Sequence, residues 1–149
     1  GDDENLTIAE GQTAVASILA YDPDGTTPAY VIAGGADATL FTIDAVTGEL
    51  SFTSAPDFEA PTDDNGDNVY HVVVAASDGS LSAFRTMAVT VTNANEAPLI
   101  TSNGGGASAS LSIAENSASV TTVTSDDPDG HPRSYTIIGG AGCAFWAIA

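Results

Sequence analysis

Three observations predict an all-β protein folded as a Greek-key β-sandwich. Apolar residues recur at every second position in several short runs, which is the period of a half-buried strand. No window carries the 3.6-residue period over a length that would build a helix. Gly, Asp and Pro turn signals separate the runs, giving about seven strands in roughly 100 residues, the density of a Greek-key sandwich.

The elements are taken in chain order. "LFTIDAVTGELSF" (40–52) reads as two short strands around the turn "AVTG". "YHVVVAASDG" sets Tyr70, Val72, Val74 and Ala76 on one face and stops at Asp78-Gly79. "MAVTVTN" sets Met87, Val89 and Val91 against Ala88, Thr90 and Thr92. The alternating Val, Tyr and Met are assigned to the sandwich core and carry no chemistry. After "TNANEA" comes Pro98 and a new strand, so a boundary lies near residues 93–98. "SNGGGASAS" (102–110) reads as a flexible insertion or as slack at the start of a second unit.

The sequence repeats itself. "LTIAEGQTAV" from Leu6 matches "LSIAENSASV" from Leu111, and "YVIAGGA" (30–36) matches "YTIIGGA" (135–141). "YDPDG" (21–25) matches "DDPDG" (126–130). Glu10 and Glu115, Asp22 and Asp127, and Asp24 and Asp129 each stand 105 residues apart. The expected organisation is one complete repeat over residues 1–97 and the first part of a second over 98–149. The tail "AGCAFWAIA" departs from "ADATLFTID" at the same offset, and no function is attached to Cys143 or Trp146.

Charge narrows the partners. The 149 residues hold 20 acids and 2 basic residues, a formal charge of −18, so nucleic acid and anionic membrane surfaces would repel the chain. The apolar share is 43%, enough for a core and unlike a disordered acidic tail. One cysteine excludes both a disulfide framework and a thiolate zinc site. No apolar run approaches the roughly 18 residues of a membrane helix. The start lacks a signal peptide pattern, so an export signal or anchor is expected outside this stretch. With so few internal counter-ions, hard divalent cations are the natural balance, and they prefer oxygen ligands.

The acids are grouped. Asp22 and Asp24 end one strand and Asp78 ends another, so they are expected to share one pole. Pro23 fixes its φ and is expected to hold Asp22 and Asp24 in an extended shape with both carboxylates on one side. "TDDNGDN" (62–68) places Asp63, Asn65 and Asp67 at alternate positions. It lacks the later glycine and glutamate of an EF-hand loop, so it is read as a solvated acidic turn. His71 is read as an exposed strand residue and His131 as a loop residue. Nothing places a nucleophile beside a base, so no enzyme is expected. The sequon Asn5-Leu6-Thr7 is too weak a pattern to use.

These residues resemble a known family, the cadherins, and specifically the cadherin-like repeats of large prokaryotic surface proteins. "AEG" and "AENS" are similar to the glutamate motif near the first cadherin strand, and the two "DPDG" loops to the D-x-D motif. "LFTIDAVTGEL" resembles the F-x-I-D-x-x-T-G-x-L segment, "PDFEAP" the D-x-E motif, "VVVAASDG" the A-x-D motif and "TNANEAP" the linker. Six motifs in the family's order cover the first repeat. The resemblance implies an immunoglobulin-like, cadherin-like sandwich with Ca2+ ions between successive repeats. It implies that Glu10, Asp57, Glu59, Asn95 and Glu96 act with Asp127 and Asp129 at one junction. Asp22, Asp24 and Asp78 would face a preceding repeat, and Glu115 a following one. Asn93 stands where the linker usually has aspartate, and the linker reads one residue short, which implies weak binding, towards about 10⁻⁴–10⁻³ M. The implied role is a calcium-stiffened extracellular array that supports cell adhesion. Its partners would be neighbouring repeats and a homophilic or other cell-surface partner. The alternative is an accessory spacer or carbohydrate-binding sandwich of a secreted polysaccharide-degrading enzyme.

Overall fold

The computed structural model describes residues 4–148. The chain divides into two compact units, one ending at Ala94 and the other starting at Asn95. Seven strands lie in the first: β1 (Glu4–Ala9), β2 (Ala14–Ser17), β3 (Ala29–Gly34), β4 (Phe41–Ile43), β5 (Glu49–Phe52), β6 (Val69–Ser77) and β7 (Ser82–Thr92). They form a four-stranded sheet, β1-β7-β6-β3, and a three-stranded sheet, β2-β5-β4. The chain changes sheet at β1–β2, β2–β3, β3–β4 and β5–β6, as a Greek key requires. Only β4–β5 and β6–β7 are hairpins within one sheet. β1 joins β7 in parallel, so Leu6 sits opposite Val89 and Ile8 opposite Val91.

The period-two pattern becomes the core. Tyr70, Val72 and Val74 of β6 and Met87, Val89 and Val91 of β7 are buried on the inner face. Leu50 and Phe52 of β5 and Phe41 of β4 meet them from the other sheet. Tyr70 stands edge-on to Phe52 at 5.0 Å and to Phe41 at 6.5 Å, the arrangement aromatic quadrupoles favour. Its hydroxyl accepts the Thr62 N–H at 3.2 Å. A hydroxyl buried there without a partner would cost desolvation energy.

Aspartates organise the turns. Asp44 Oδ1 accepts the N–H groups of Val46 and Thr47 in the β4–β5 hairpin, and Gly48 closes it with φ +72°. Asp78 Oδ1 accepts those of Ser80 and Leu81 in the β6–β7 hairpin. Backbone donation favours the ionised form, and it holds both carboxyls below the usual carboxylate range. The 62–68 loop corrects the sequence reading. Asp63 is buried rather than solvated, and it accepts the N–H groups of Asp67 at 2.9 Å and Asn68 at 3.2 Å. Asp37, also buried, ties the same loop to β6 by accepting from Asp64 and His71. His71 itself is exposed.

The second unit carries one short strand pair, β8 (Leu99–Ile100) and β9 (Ser125–Asp126). Residues 109–114, the counterparts of β1 at the offset of 105, are not in a strand. In the first unit β1 needs β7 as its neighbour and β3 needs β6. Counterparts of β6 and β7 at the offset of 105 would fall beyond residue 149, so those backbone partners are not among the residues described.

Local geometry nevertheless repeats at that offset. Ala20 N–H donates to Tyr30 Oη at 3.0 Å, and Ser125 N–H donates to Tyr135 Oη at 3.1 Å. Single turns of 3₁₀ helix occupy Ala38–Leu40 and Cys143–Phe145. The second of these falls within the divergent tail, so the side chains changed while the backbone turn did not.

Candidate metal centre

Glu10 follows directly on β1 and is 7% exposed. Its Oε2 accepts the Phe58 N–H and its Oε1 the Ala94 N–H, both at 2.7 Å. One carboxylate therefore joins the end of β1, the 57–60 loop and the segment after β7. Asp57 Oδ1 accepts the N–H groups of Glu59 and Ala60, which curls that loop. Asn93 Nδ2 donates to Glu59 Oε1 at 2.7 Å. Glu10, Asp57 and Glu59 are thus held at one end of the first unit by backbone and amide donors. Glu10 Oε1 and Oε2 each accept one N–H and keep a second lone pair for a hard cation, and Asp57 offers its Oδ2.

Asp22, Asp24 and Asp78 lie in the loops that follow β2 and β6. The extended shape expected around Pro23 is not found. Gly25 N–H donates to Asp22 O at 3.1 Å, closing a tight turn over 22–25. Asp, Pro and Gly stand where such a turn favours them, with Pro pre-set for its second position. Asp22 Oδ1 accepts the Asp24 N–H at 2.8 Å, and the Thr26 hydroxyl donates to Asp22 Oδ2. Asp22, Asp24 and Asp78 do not bring ligand atoms within 4.8 Å of one another as a trio.

The second unit has the same turn, with Gly130 N–H donating to Asp127 O at 3.0 Å. Asp127 Oδ1 accepts the His131 N–H at 3.2 Å. Asp129 Oδ2 accepts the Glu96 N–H at 2.7 Å, which holds the segment after Asn95 against the loop. Asn95 makes a long contact at 3.5 Å to Glu96 O. The Asp127 and Asp129 side chains are 5% and 2% exposed. Two enclosed carboxylates on one loop attract a cation. Arg133 of this unit pairs instead with Asp126 at 3.3 Å. Glu115 is exposed on a turn.

The sequence reading passed over His131. Its ring Nδ1 lies 3.6 Å from Asp127 Oδ1 and 3.9 Å from Asp129 Oδ2. The available signal was D-x-D-x-H, three potential ligands at alternate positions. It also passed over Asp37, whose role is structural and whose signal is only a buried acid beside a Gly-Gly turn.

Comparison with known proteins bears on the fold. A crystal structure of human protocadherin-24 EC1-2 is 25% identical with a TM-score of 0.54, covering 84% of this chain and 56% of that one. Drosophila N-cadherin EC1-4 is 26% identical with a TM-score of 0.54, covering 68% of this chain and 26% of that one. A stretch of 34 residues is 53% identical to halomucin of Haloquadratum walsbyi, covering 23% of this chain and a share of that protein that rounds to 0%. The chain thus spans little more than half of the first of these relatives and far less of the others. The cadherin domain description matches residues 4–92, more than half of the sequence, and the chain belongs to the cadherin family.

Proposed function

We propose that the chain is a calcium-binding cadherin module of an extracellular surface protein, one link of a tandem array whose stiffness depends on calcium and which supports adhesion. The observation that carries this reading is the organisation of the acids. Glu10, Asp57 and Glu59 are gathered with the segment after β7, and Asp127 and Asp129 are gathered with the segment after Asn95. In this reading Glu10, Asp57, Glu59, Asn95, Glu96, Asp127 and Asp129 hold the ions of one junction. Asp22, Asp24 and Asp78 serve a preceding module. Residues 98–149 are the first part of a second repeat, which the recurring tyrosine bond and 3₁₀ turn support.

Bound calcium would supply charge neutralisation and a cross-link through oxygen ligands. This chain's own part is to hold the carboxylates in place beforehand, through backbone donors, so that less ordering is lost on binding. Without the ion, acidic ends repel and modules swivel about the linker.

The test is melting of the whole chain in calcium and in EDTA. Calcium is expected to raise Tm by several degrees, and an Asp127→Ala plus Asp129→Ala variant should show no such rise. A variant that keeps the full calcium response removes these residues from the site.

A further inference from the structure

The backbone between Asp57 and Glu59 is held at three points. Phe58 N–H donates to Glu10 Oε2 at 2.7 Å, and Glu59 N–H donates to Asp57 Oδ1 at 3.0 Å. The third hold comes from outside the acids. Asn68 Nδ2 donates to the Phe58 carbonyl oxygen at 3.0 Å. Asn68 is itself anchored on two sides. Its carbonyl oxygen accepts the Val91 N–H of β7 at 2.9 Å. Its own N–H donates to the buried Asp63 carboxylate at 3.2 Å. Through Asn68 the 57–60 loop is tied to the four-stranded sheet as well as to Glu10.

Stability does not account for this side chain. Asn68 has φ +63°, a conformation that glycine adopts freely and asparagine tolerates. Its Oδ1 is enclosed and has no hydrogen-bond partner among the described residues. An enclosed acceptor left unpaired costs at least as much as one neutral hydrogen bond returns. Glycine at position 68 would keep the backbone bonds to Val91 and Asp63, remove the orphaned acceptor and lose only the bond to Phe58. A buried polar atom kept at such a cost calls for a role elsewhere.

We propose that Asn68 is a positioning residue for calcium. It holds the backbone between Asp57 and Glu59, so that both carboxylates stand ready beside Glu10 before an ion arrives. Its amide is spent on the Phe58 carbonyl and does not contact the ion. Ordering the loop beforehand reduces the entropy lost on binding, and groups that orient metal ligands change affinity about 10–100-fold. The inference rests on the shared-calcium reading and deepens it, by naming the residue that sets the affinity of the first unit's ligands.

The test is a titration of the isotope-labelled whole chain with calcium chloride at room temperature, where the chain is folded. Nuclear magnetic resonance follows the amide signals of Phe58 and Glu59. Asn68→Gly keeps the backbone conformation and removes the donor. It should weaken calcium about 10-fold, while Tm in EDTA stays within about 4 °C of the parent. Asn68→Asp also removes the donor, but adds a negative charge. A general charge effect would tighten calcium in that variant, whereas loss of positioning weakens it. Affinity equal to or tighter than the parent's in either variant overturns the proposal, whatever happens to Tm. The two readings fail differently. Parent signals that do not move up to about 10 mM calcium sink the shared-calcium reading. A parent that titrates, with variants that titrate alike, sinks this inference alone.

Discussion

Removing the Glu10 carboxylate tests how the first unit holds its acidic end together. Glu10→Ala strips the acceptor from two backbone N–H groups, those of Phe58 and Ala94, each now bonded at 2.7 Å. Hydrogen bonds to a charged group contribute about 1.5–3 kcal/mol each. The two together would reach about 3–6 kcal/mol, and water entering the gap recovers part of that, so about 3 kcal/mol is the expected loss. For a domain of this size each kcal/mol moves Tm by about 4–8 °C, so the variant should melt roughly 12–24 °C lower. Glu10→Gln keeps one carbonyl acceptor and should lose about half as much. The assay is thermal unfolding by far-ultraviolet circular dichroism in EDTA, which removes any contribution from bound metal. A Glu10→Ala chain that melts within about 2 °C of the parent would refute the claim that this carboxylate staples the loop and linker.

Other outcomes rest on the same structure. Leu50 is 1% exposed between the sheets, so Leu50→Ala should cost about 2–5 kcal/mol in urea unfolding, with an unchanged m-value. Gly35 has φ +112°, and a Cβ there would sit 2.4 Å from the His71 carbonyl oxygen and 2.6 Å from Val72 Cα. Gly35→Ala should therefore cost at least the ~1–3 kcal/mol of backbone strain, read in the same titration. Burial raises the Asp63 carboxyl, but the amides of Asp67, Asn68 and Gly66 outweigh it and hold it below its ordinary value of 3.8. The stabilisation from this depressed acid is complete above that value and is lost as pH falls through the lower folded one. Asp63→Asn should be less stable than the parent at pH 7, and the gap should close in acid. A gap that is constant with pH would contradict the assignment.

The strands of the first unit were legible because their side chains alternate between a buried and an open face. Tyr70, Val72 and Val74 alternate with His71 and Val73, and that pattern is independent of partner. The second unit was less legible. Residues 111–114 carry nearly the letters of residues 6–9 in β1 but are not in a strand, because a strand also depends on the neighbour that supplies its hydrogen bonds.

The acids divided in a similar way. Motif spacing singled out Glu10, Asp127 and Asp129, but it could not say which oxygens the backbone already uses. Period-two reasoning failed at Pro23, where turn chemistry overrode the strand habit and folded Asp22 and Asp24 together. Asp37 was missed, and Asp63 was read as solvated, because their roles depend on burial, which sequence spacing does not encode. His131 was passed over because a single histidine has little meaning until two carboxylates are found beside it.

The central claim is that acidic side chains of successive modules share cations and so stiffen the joint between them. The most direct measurement is the distribution of distances between two spin labels, by pulsed electron resonance. One label sits on the exposed native Cys143 and the other on Val46→Cys, a position 77% exposed in the β4–β5 turn. The account predicts a broad distribution in EDTA that narrows when calcium is added and broadens again with Asp127→Ala plus Asp129→Ala. An equally broad distribution with and without calcium would contradict it.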